Sequence, residues 1–324
     1  MIVRRARTVG GAAALALMLS AGLCLGEHQP AAPAVGGTEP PGYSGLAQID
    51  EQHYVVVHDT KQADPGPRLG LLHVDKGHTP RYEPITVKAW PDQEGLPNDL
   101  EAVCMLPGAA HEALLAESMP AKAGHRGRIF HVAMTGNTAR VLRVYSLPKP
   151  HDTSLLDNFE GMACAPRAPG RTLVILGGWG GDPENPSGVV RWGELDTAQG
   201  VLSWADTSVR FRAPGVWPHP EERHDLSDLY LDGRGKLWAA AVSDGGDDGP
   251  FNSVVYLLGR VEAAAEPPLR LEHTMAATWS EDGFKIEGLA GPPGAPPNAF
   301  MSFATEDEHL GGVWRPMFFP SRLR

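Results

Sequence analysis

The chain has 324 residues, a net charge of −11, 42% hydrophobic content and unusually many glycines (38) and prolines (30). Its acidity excludes nucleic acid as a natural partner, because phosphate backbones are bound by clustered lysine and arginine. After one apolar run near the N-terminus no comparable run recurs, which excludes a membrane-embedded domain beyond that first segment.

Arg4, Arg5 and Arg7 precede an uncharged stretch over 10–26. This is the layout of a secretory signal peptide, expected over 1–26, and its apolar part is shorter than the ~20 residues of a spanning helix. Export to the periplasm or the medium follows, and loss of the three arginines would take the charge from −11 to −14. An uncleaved anchor is the other reading. Cys24 raises lipoprotein anchoring as a further alternative, although Leu23 stands where lipid attachment wants a small residue. Residues 27–41 carry Pro30, Pro33, Pro40 and Pro41 among alanine and glycine and read as a linker. A single folded domain is expected over 42–324.

Within that domain, Tyr-Ser-Gly-Leu at 43–46 precedes a β-rich run over 54–59. Leu-Glu-Ala-Val at 100–103 is followed by the best helical candidate, 109–119 with Glu112 and Glu117, and then by strands over 129–134 and 141–145. Phe-Glu-Gly-Met at 159–162 precedes a strand over 172–178. Leu-Ser-Asp-Leu at 226–229 precedes strands over 237–244 and 253–258, and Ile-Glu-Gly-Leu at 286–289 precedes one over 299–304. Val313 and Trp314 are expected to pair with the first unit.

These five segments share one pattern: a large apolar residue, Glu or Ser, usually Gly, then an apolar residue. The second position falls at 44, 101, 160, 227 and 287, at intervals of 57, 59, 67 and 60 residues. Even spacing of a strand motif is the mark of a repeat architecture, and a ring of small sheets hides its edges. The expected fold is all-β, a β-propeller of five blades. Six blades result if the 67-residue interval, or 69–89, conceals a degenerate unit. A β-sandwich does not account for the spacing.

Cys104 lies three residues after its motif Glu and Cys164 four after its own. Side chains alternate across a strand, so the thiols point to opposite faces of successive inner strands, and neighbouring blades face each other through opposite faces. A disulfide between the blades is one outcome, and two small buried thiols the other.

In a propeller the motif opens the innermost strand and the second strand ends beside it. Glu101, Glu160 and Glu287, with Asn98, Asp99, Asp157, Asn158, His224 and Asp225, should therefore meet His58, Asp59, Ser243, Asp244, Thr305, Glu306 and Asp307 at the channel mouth. Converging carboxylates repel unless compensated. Calcium does this with six to eight oxygen ligands at about 2.3–2.6 Å. Hydrogen bonding of the glutamates to the next blade is a second solution, and protonated carboxyls with raised pKa values a third. The glycine-rich turn around Trp179 should bring that ring to the rim. No Gly-x-Ser-x-Gly elbow occurs, so the serine-hydrolase route lacks support.

The segments Gly-Tyr-Ser-Gly-Leu-Ala at 42–47, Asn-Asp-Leu-Glu-Ala-Val at 98–103, Asp-Asn-Phe-Glu-Gly-Met-Ala at 157–163 and Phe-Lys-Ile-Glu-Gly-Leu-Ala at 284–290 resemble a bacterial exported family, the phytase-like or "esterase-like activity of phytase" propellers. The SdiA-regulated group, which repeats Leu-Glu-Gly-Ile, is similar. The resemblance implies hydrolysis of a small-molecule ester or phosphoester. Propeller phytases surround phosphate with several calcium ions and basic residues. Here only Lys285, Arg223, Arg126, Arg128 and Arg315 are candidates near the mouth. The first expectation is thus a calcium-dependent hydrolase in which Glu101, Glu160, Glu287, Asp157 and Asp244 hold the ion. His224 or His58 would be its general base, and Asn98, Asn158, Trp179 and Lys285 would contact substrate. The second is a non-catalytic propeller that binds a small ligand, an envelope polymer or a protein, with any cation structural.

Overall fold

The computed structural model describes residues 40–75, 79–90, 95–118, 126–149, 158–179, 188–214, 224–246, 249–294, 296, 298–307 and 311–319, all within one compact unit, Glu39–Arg324. The expected signal peptide and Asp157 lie outside the described residues. Among the described residues every regular element is a β-strand, and no helix is long and apolar enough to cross a membrane.

Five sheets follow one another along the chain. The first holds β1 (Gly45–Gln48), β2 (His53–Val57), β3 (Leu69–Val74) and β4 (Pro80–Pro84), ordered outwards as a meander. A short β5 (Thr86–Val87) then crosses over. The second sheet holds β6 (Leu100–Met105), β7 (Glu112–Glu117), β8 (Arg128–Thr135) and β9 (Thr138–Ser146), with β5 added in parallel to the outer edge of β9. The third holds β10 (Phe159–Ala168), β11 (Arg171–Gly178), β12 (Gly188–Asp196) and β13 (Val201–Phe211). In the fourth, β14 (Asp225–Leu231), β15 (Lys236–Asp244) and β16 (Phe251–Val261) are followed by β17 (Leu269–Leu271) and β18 (Ala277–Asp282), which both pair with β16. The fifth holds β19 (Ile286–Ala290), β20 (Met301–Thr305) and β21 (Trp314–Met317).

The five motif segments all open inner strands: β1, β6, β10, β14 and β19. Each packs against the next, and β19 packs against β1, so the ring is closed with five blades and no sixth. Residues 69–89 belong to β3, β4 and the crossover β5. The 67-residue interval holds the four strands of blade three, of which β10 has 10 residues and β13 has 11.

The apolar core is divided into five seams, one between each pair of neighbouring blades. Val55, Val57 and Leu69 of blade one meet Leu100, Leu115 and Phe130 of blade two. Ile129 and Leu114 meet Met162 and Val174. Ile175 and Trp192 meet Leu237 and Tyr256. Trp238 and Val255 meet Leu289 and Phe303, and Ala304 and Trp314 meet Leu46 and Tyr54. Fully burying a Val, Leu or Phe side chain is worth roughly 1.5–3 kcal/mol, so the seams dominate the assembly of the ring. Because a blade is covered on both faces, its second strand reads as a continuous apolar run rather than an alternating one.

Two expectations are corrected. The helix over 109–119 is instead β7, whose interior Ala113–Leu114–Leu115–Ala116 is wholly buried between β6 and β8. Alanine, leucine and glutamate favour a helix, but that preference amounts to a few tenths of a kcal/mol per residue and yields to burial on two faces. The second strand of blade two is therefore 112–117, and the run over 129–134 is its third. Trp314 does not pair with blade one but with Ala304 in blade five. The backbone of the N-terminal segment makes the junction: Tyr43 N–H donates to Thr305 O (3.0 Å) and Gly312 N–H to Pro40 O (3.1 Å).

Candidate functional site

The motif glutamates reach the axis because their strands bulge. In blade two, Leu100 pairs with Glu117 and Ala102 with Ala116, which leaves Glu101 without a cross-strand partner. The same slip isolates Glu160 between Phe159 and Gly161, Ser227 between Leu226 and Asp228, and Glu287 between Ile286 and Gly288. A bulge bends its strand and re-aims the extra side chain. Outside blade four, the small residue that follows accommodates the neighbouring blade. A Cβ on Gly161 would lie 2.7 Å from Leu229 N, and one on Gly45 2.9 Å from Glu101 O.

Carboxylate oxygens of Glu101, Glu287 and Glu306 lie within 4.8 Å of one another, and all three residues are buried. Glu306 follows β20. Its Oε1 accepts the Ser44 hydroxyl (2.5 Å) and its Oε2 the Lys285 ammonium (2.8 Å). Lys285 Nζ also lies 3.0 Å from Glu287 Oε1 and 3.7 Å from Asp244 Oδ2. Beside this group, Glu160 Oε1 accepts from Asn158 Nδ2 (2.5 Å), and Asn158 Oδ1 accepts the Ser118 hydroxyl (2.6 Å). Lys61 binds Asp99 and lies 3.6 Å from Asp59. Asp99 adopts φ 61°, a left-handed conformation that aspartate tolerates, just before β6. Glu101 is as buried as Glu287, at 8% exposed, and differs in that its carboxyl makes no hydrogen bond among the described residues.

This geometry separates the acids. Burial would raise Glu306, but Glu287, Lys285 and Ser44 hold it ionised, down at about 2. Burial and the Glu306 charge push Glu287 well above the ordinary carboxyl range. Burial, then Glu160, Glu306 and Glu287, do the same to Glu101. Glu160 is pushed up to about 8 by burial and by Asp99 and Glu306. Lys285 stays charged: burial opposes it, and Glu287 and Glu306 outweigh burial.

The other expected site residues are placed as follows. His58 is buried and uses both ring nitrogens, Nδ1–H donating to Gly42 O (2.6 Å) and Nε2 accepting the Tyr82 hydroxyl (3.0 Å). Burial pulls it down to about 4 against the opposing Gly42 hydrogen bond and Glu306 charge, so it is neutral, and its ring packs on Tyr43 and Tyr82. His224 is tied to the third strand of blade four through Asn252 Oδ1 (2.6 Å), and burial lowers its pKa. Asn98 holds the loop after blade one, accepting Gln62 N–H (3.0 Å), while its own N–H donates to Glu117 (2.9 Å). Trp179 is 37% exposed beside Asn158, whose carbonyl accepts its N–H (2.7 Å). Arg128 is committed to Glu117 and to the carbonyls of Gly95 and Leu96, and Arg315 lies over the Phe284 ring. Cys104 and Cys164 are disulfide-bonded, Cα to Cα 5.8 Å, and clamp β6 to β10 directly below Glu101 and Glu160. Glu306, Ser44, Lys61 and Asp99 complete the site. Of these, Lys61 carried no sequence signal, because it sits in a loop that only the ring brings to the axis.

No protein-family model and no curated protein matches the chain. Solved structures do. An exo-β-1,3-galactanase from Phanerochaete chrysosporium aligns with a TM-score of 0.50 at 7% identity, over 85% of this chain and 60% of that one. An endo-arabinase from Bacteroides thetaiotaomicron aligns at 0.48 and 11%, over 88% and 99%. A luciferin-regenerating enzyme aligns at 0.40 and 9%, over 86% and 92%. The likeness is one of fold, a β-propeller.

The donor set also bears on the calcium expectation. It is all oxygen, as a hard cation requires, and one of its members, Glu101, is buried without a partner. The residues fit such an ion, and the Lys285 ammonium stands beside two of them, Glu287 and Glu306.

Proposed function

We propose that this chain is an exported hydrolase of the phytase-like kind, which cleaves an ester or phosphoester at the axial carboxyl cluster with calcium as its cation. The observation that carries the reading is Glu101. Glu101 is 8% exposed beside Glu160, Glu287 and Glu306 and makes no hydrogen bond among the described residues, which leaves its oxygens open to a ligand. Calcium, when bound, would polarise the substrate oxygen and acidify a water.

The chain's own residues would do the rest. Glu101, Glu287 and Glu306 hold the ion. Glu160, still protonated near neutral pH, donates to the leaving oxygen, and Asn158 fixes its orientation. Glu306, ionised and held by Ser44 and Lys285, would supply negative charge to the ion, while its depressed pKa makes it a poor proton acceptor. The mouth holds more acid than base, which favours an uncharged ester over a phosphate monoester. The disulfide supports an oxidising compartment and hence export.

A hydrolysis screen of the exported chain on aryl esters and aryl phosphoesters, with calcium and with chelator, tests this. Activity should vanish on chelation, return with calcium and fall at least about a hundredfold in Glu160→Gln. Activity that ignores chelation and survives Glu160→Gln would sink it. The second reading, a non-catalytic propeller with a structural ion, is favoured by the Lys285 bridge to Glu287 and Glu306, which already neutralises part of the ring. Its signature is no turnover of any substrate together with a calcium-raised Tm.

A further inference from the structure

We propose that Lys285 is a tethered competitor for the cation of this cluster, displaced onto Asp244 when a divalent ion binds. The inference rests on the calcium reading above and adds how the site sets its affinity. The lysine ammonium stands between Glu306 Oε2 (2.8 Å) and Glu287 Oε1 (3.0 Å), two of the three carboxylates whose oxygens converge within 4.8 Å. An ion bridging all three must take the space the ammonium holds.

Asp244 is built to receive it. It ends β15, and its Oδ1 is fixed by the Gly246 N–H (2.8 Å), while Oδ2 lies 3.7 Å from Lys285 Nζ. Its side chain is 38% exposed against 16% for the lysine, so the transfer moves the ammonium outwards, towards water. Four flexible methylenes make this a rotamer change rather than a backbone movement. Ser44 keeps its grip on Glu306 in both arrangements, so the ligands stay preformed.

The exchange also improves the charge balance. Glu101, which the lysine does not reach with a hydrogen bond, gains a partner only when the larger charge is present. Without an ion, the lysine keeps Glu287 and Glu306 from repelling each other and the ring folded. With an ion, it has been expelled at a cost in affinity. The site is thereby tuned to a compartment where the cation is abundant.

Two measurements test this on the exported chain. Calcium titration by calorimetry should show Lys285→Met binding about tenfold or more tighter than wild type, because a like charge a few ångströms from the ion has been removed. Reductive methylation of wild-type protein, read by peptide mass spectrometry, should modify Lys285 faster with calcium than without. The second arm needs no variant and stands if Lys285→Met fails to fold. Binding to Lys285→Met alone overturns the displacement, since the lysine is then never expelled from the wild-type site. Calcium binding with unchanged Lys285 labelling and no tighter binding in the variant overturns the displacement and leaves the calcium site intact. No binding to either protein overturns both.

Discussion

The five blades present the same position to the axis but resolve it in two ways. In blades one and four it is serine, satisfied by short hydrogen bonds: Ser227 donates to Ile286 O (2.6 Å), and Ser44 donates to Glu306 (2.5 Å) and accepts Asp59 N–H (3.0 Å). In blades two, three and five it is glutamate, and the longer acid reaches past the neighbouring backbone into the centre. The serine side is a set of pins between blades. Next to it, Asp228 takes the place that glycine holds in blades one, three and five. Its carboxylate accepts Leu229 N–H (2.7 Å) and Leu289 N–H (2.6 Å), and the Met162 backbone supports it as well. One side chain thus joins blades three, four and five. The glutamate side leaves a carboxyl without a hydrogen bond among the described residues, at Glu101. Closure of a ring needs the pins, whereas nothing in closure needs the excess acid, which is why function is assigned to that side.

Asp228→Ala strikes the pins hardest. Two or three buried N–H groups would lose their acceptor, and stability should fall by about 4 kcal/mol in urea unfolding. A smaller loss would mean that the blades are joined by their apolar seams alone. Removing the disulfide by Cys104→Ala with Cys164→Ala comes next. The bridge spans 60 residues, and its loss should cost about 3 kcal/mol, with the Glu101–Glu160 side loosening first in hydrogen exchange. Ser227→Ala, which orphans only the Ile286 carbonyl, should cost about 1 kcal/mol.

The pH effect belongs to the glutamate side. A carboxyl raised from 4.5 to about 8 keeps its proton in the fold when the unfolded chain has lost it, so Glu160 makes stability fall as pH rises through that interval. Glu306, lowered to about 2, acts oppositely, and its contribution is lost only as pH falls from 4.5 towards 2. Tm should therefore drop between pH 5 and pH 8.5, and Glu160→Gln should flatten that slope. An unchanged slope in the variant would place the titration elsewhere.

The ring was legible because one motif recurs at an even interval, and four of the five second strands were legible as apolar runs. Residues 112–117 were not, since glutamate, alanine and leucine signal a helix until two neighbouring strands bury them. The axial position of Glu101, Glu160 and Glu287 followed from the motif, but the bulges that turn them inwards leave no mark in composition. Lys285 was visible as a charge next to a motif glutamate. Its role as the counter-ion of Glu306, 21 residues away, depends on how β19 pairs with β20. His58 drew notice as a residue of ordinary basicity at a strand end, and only burial against Tyr43 and Tyr82 reveals it as a packed, neutral imidazole.

The central claim is that the unpartnered acid on the glutamate side marks a cation site. Calcium titration by calorimetry at neutral pH, comparing wild type with Glu101→Gln, tests it most directly. One ion per chain in the wild type, with affinity reduced about tenfold or more in Glu101→Gln, is the expected result. Equal binding by the two proteins, or none by the wild type, would contradict it.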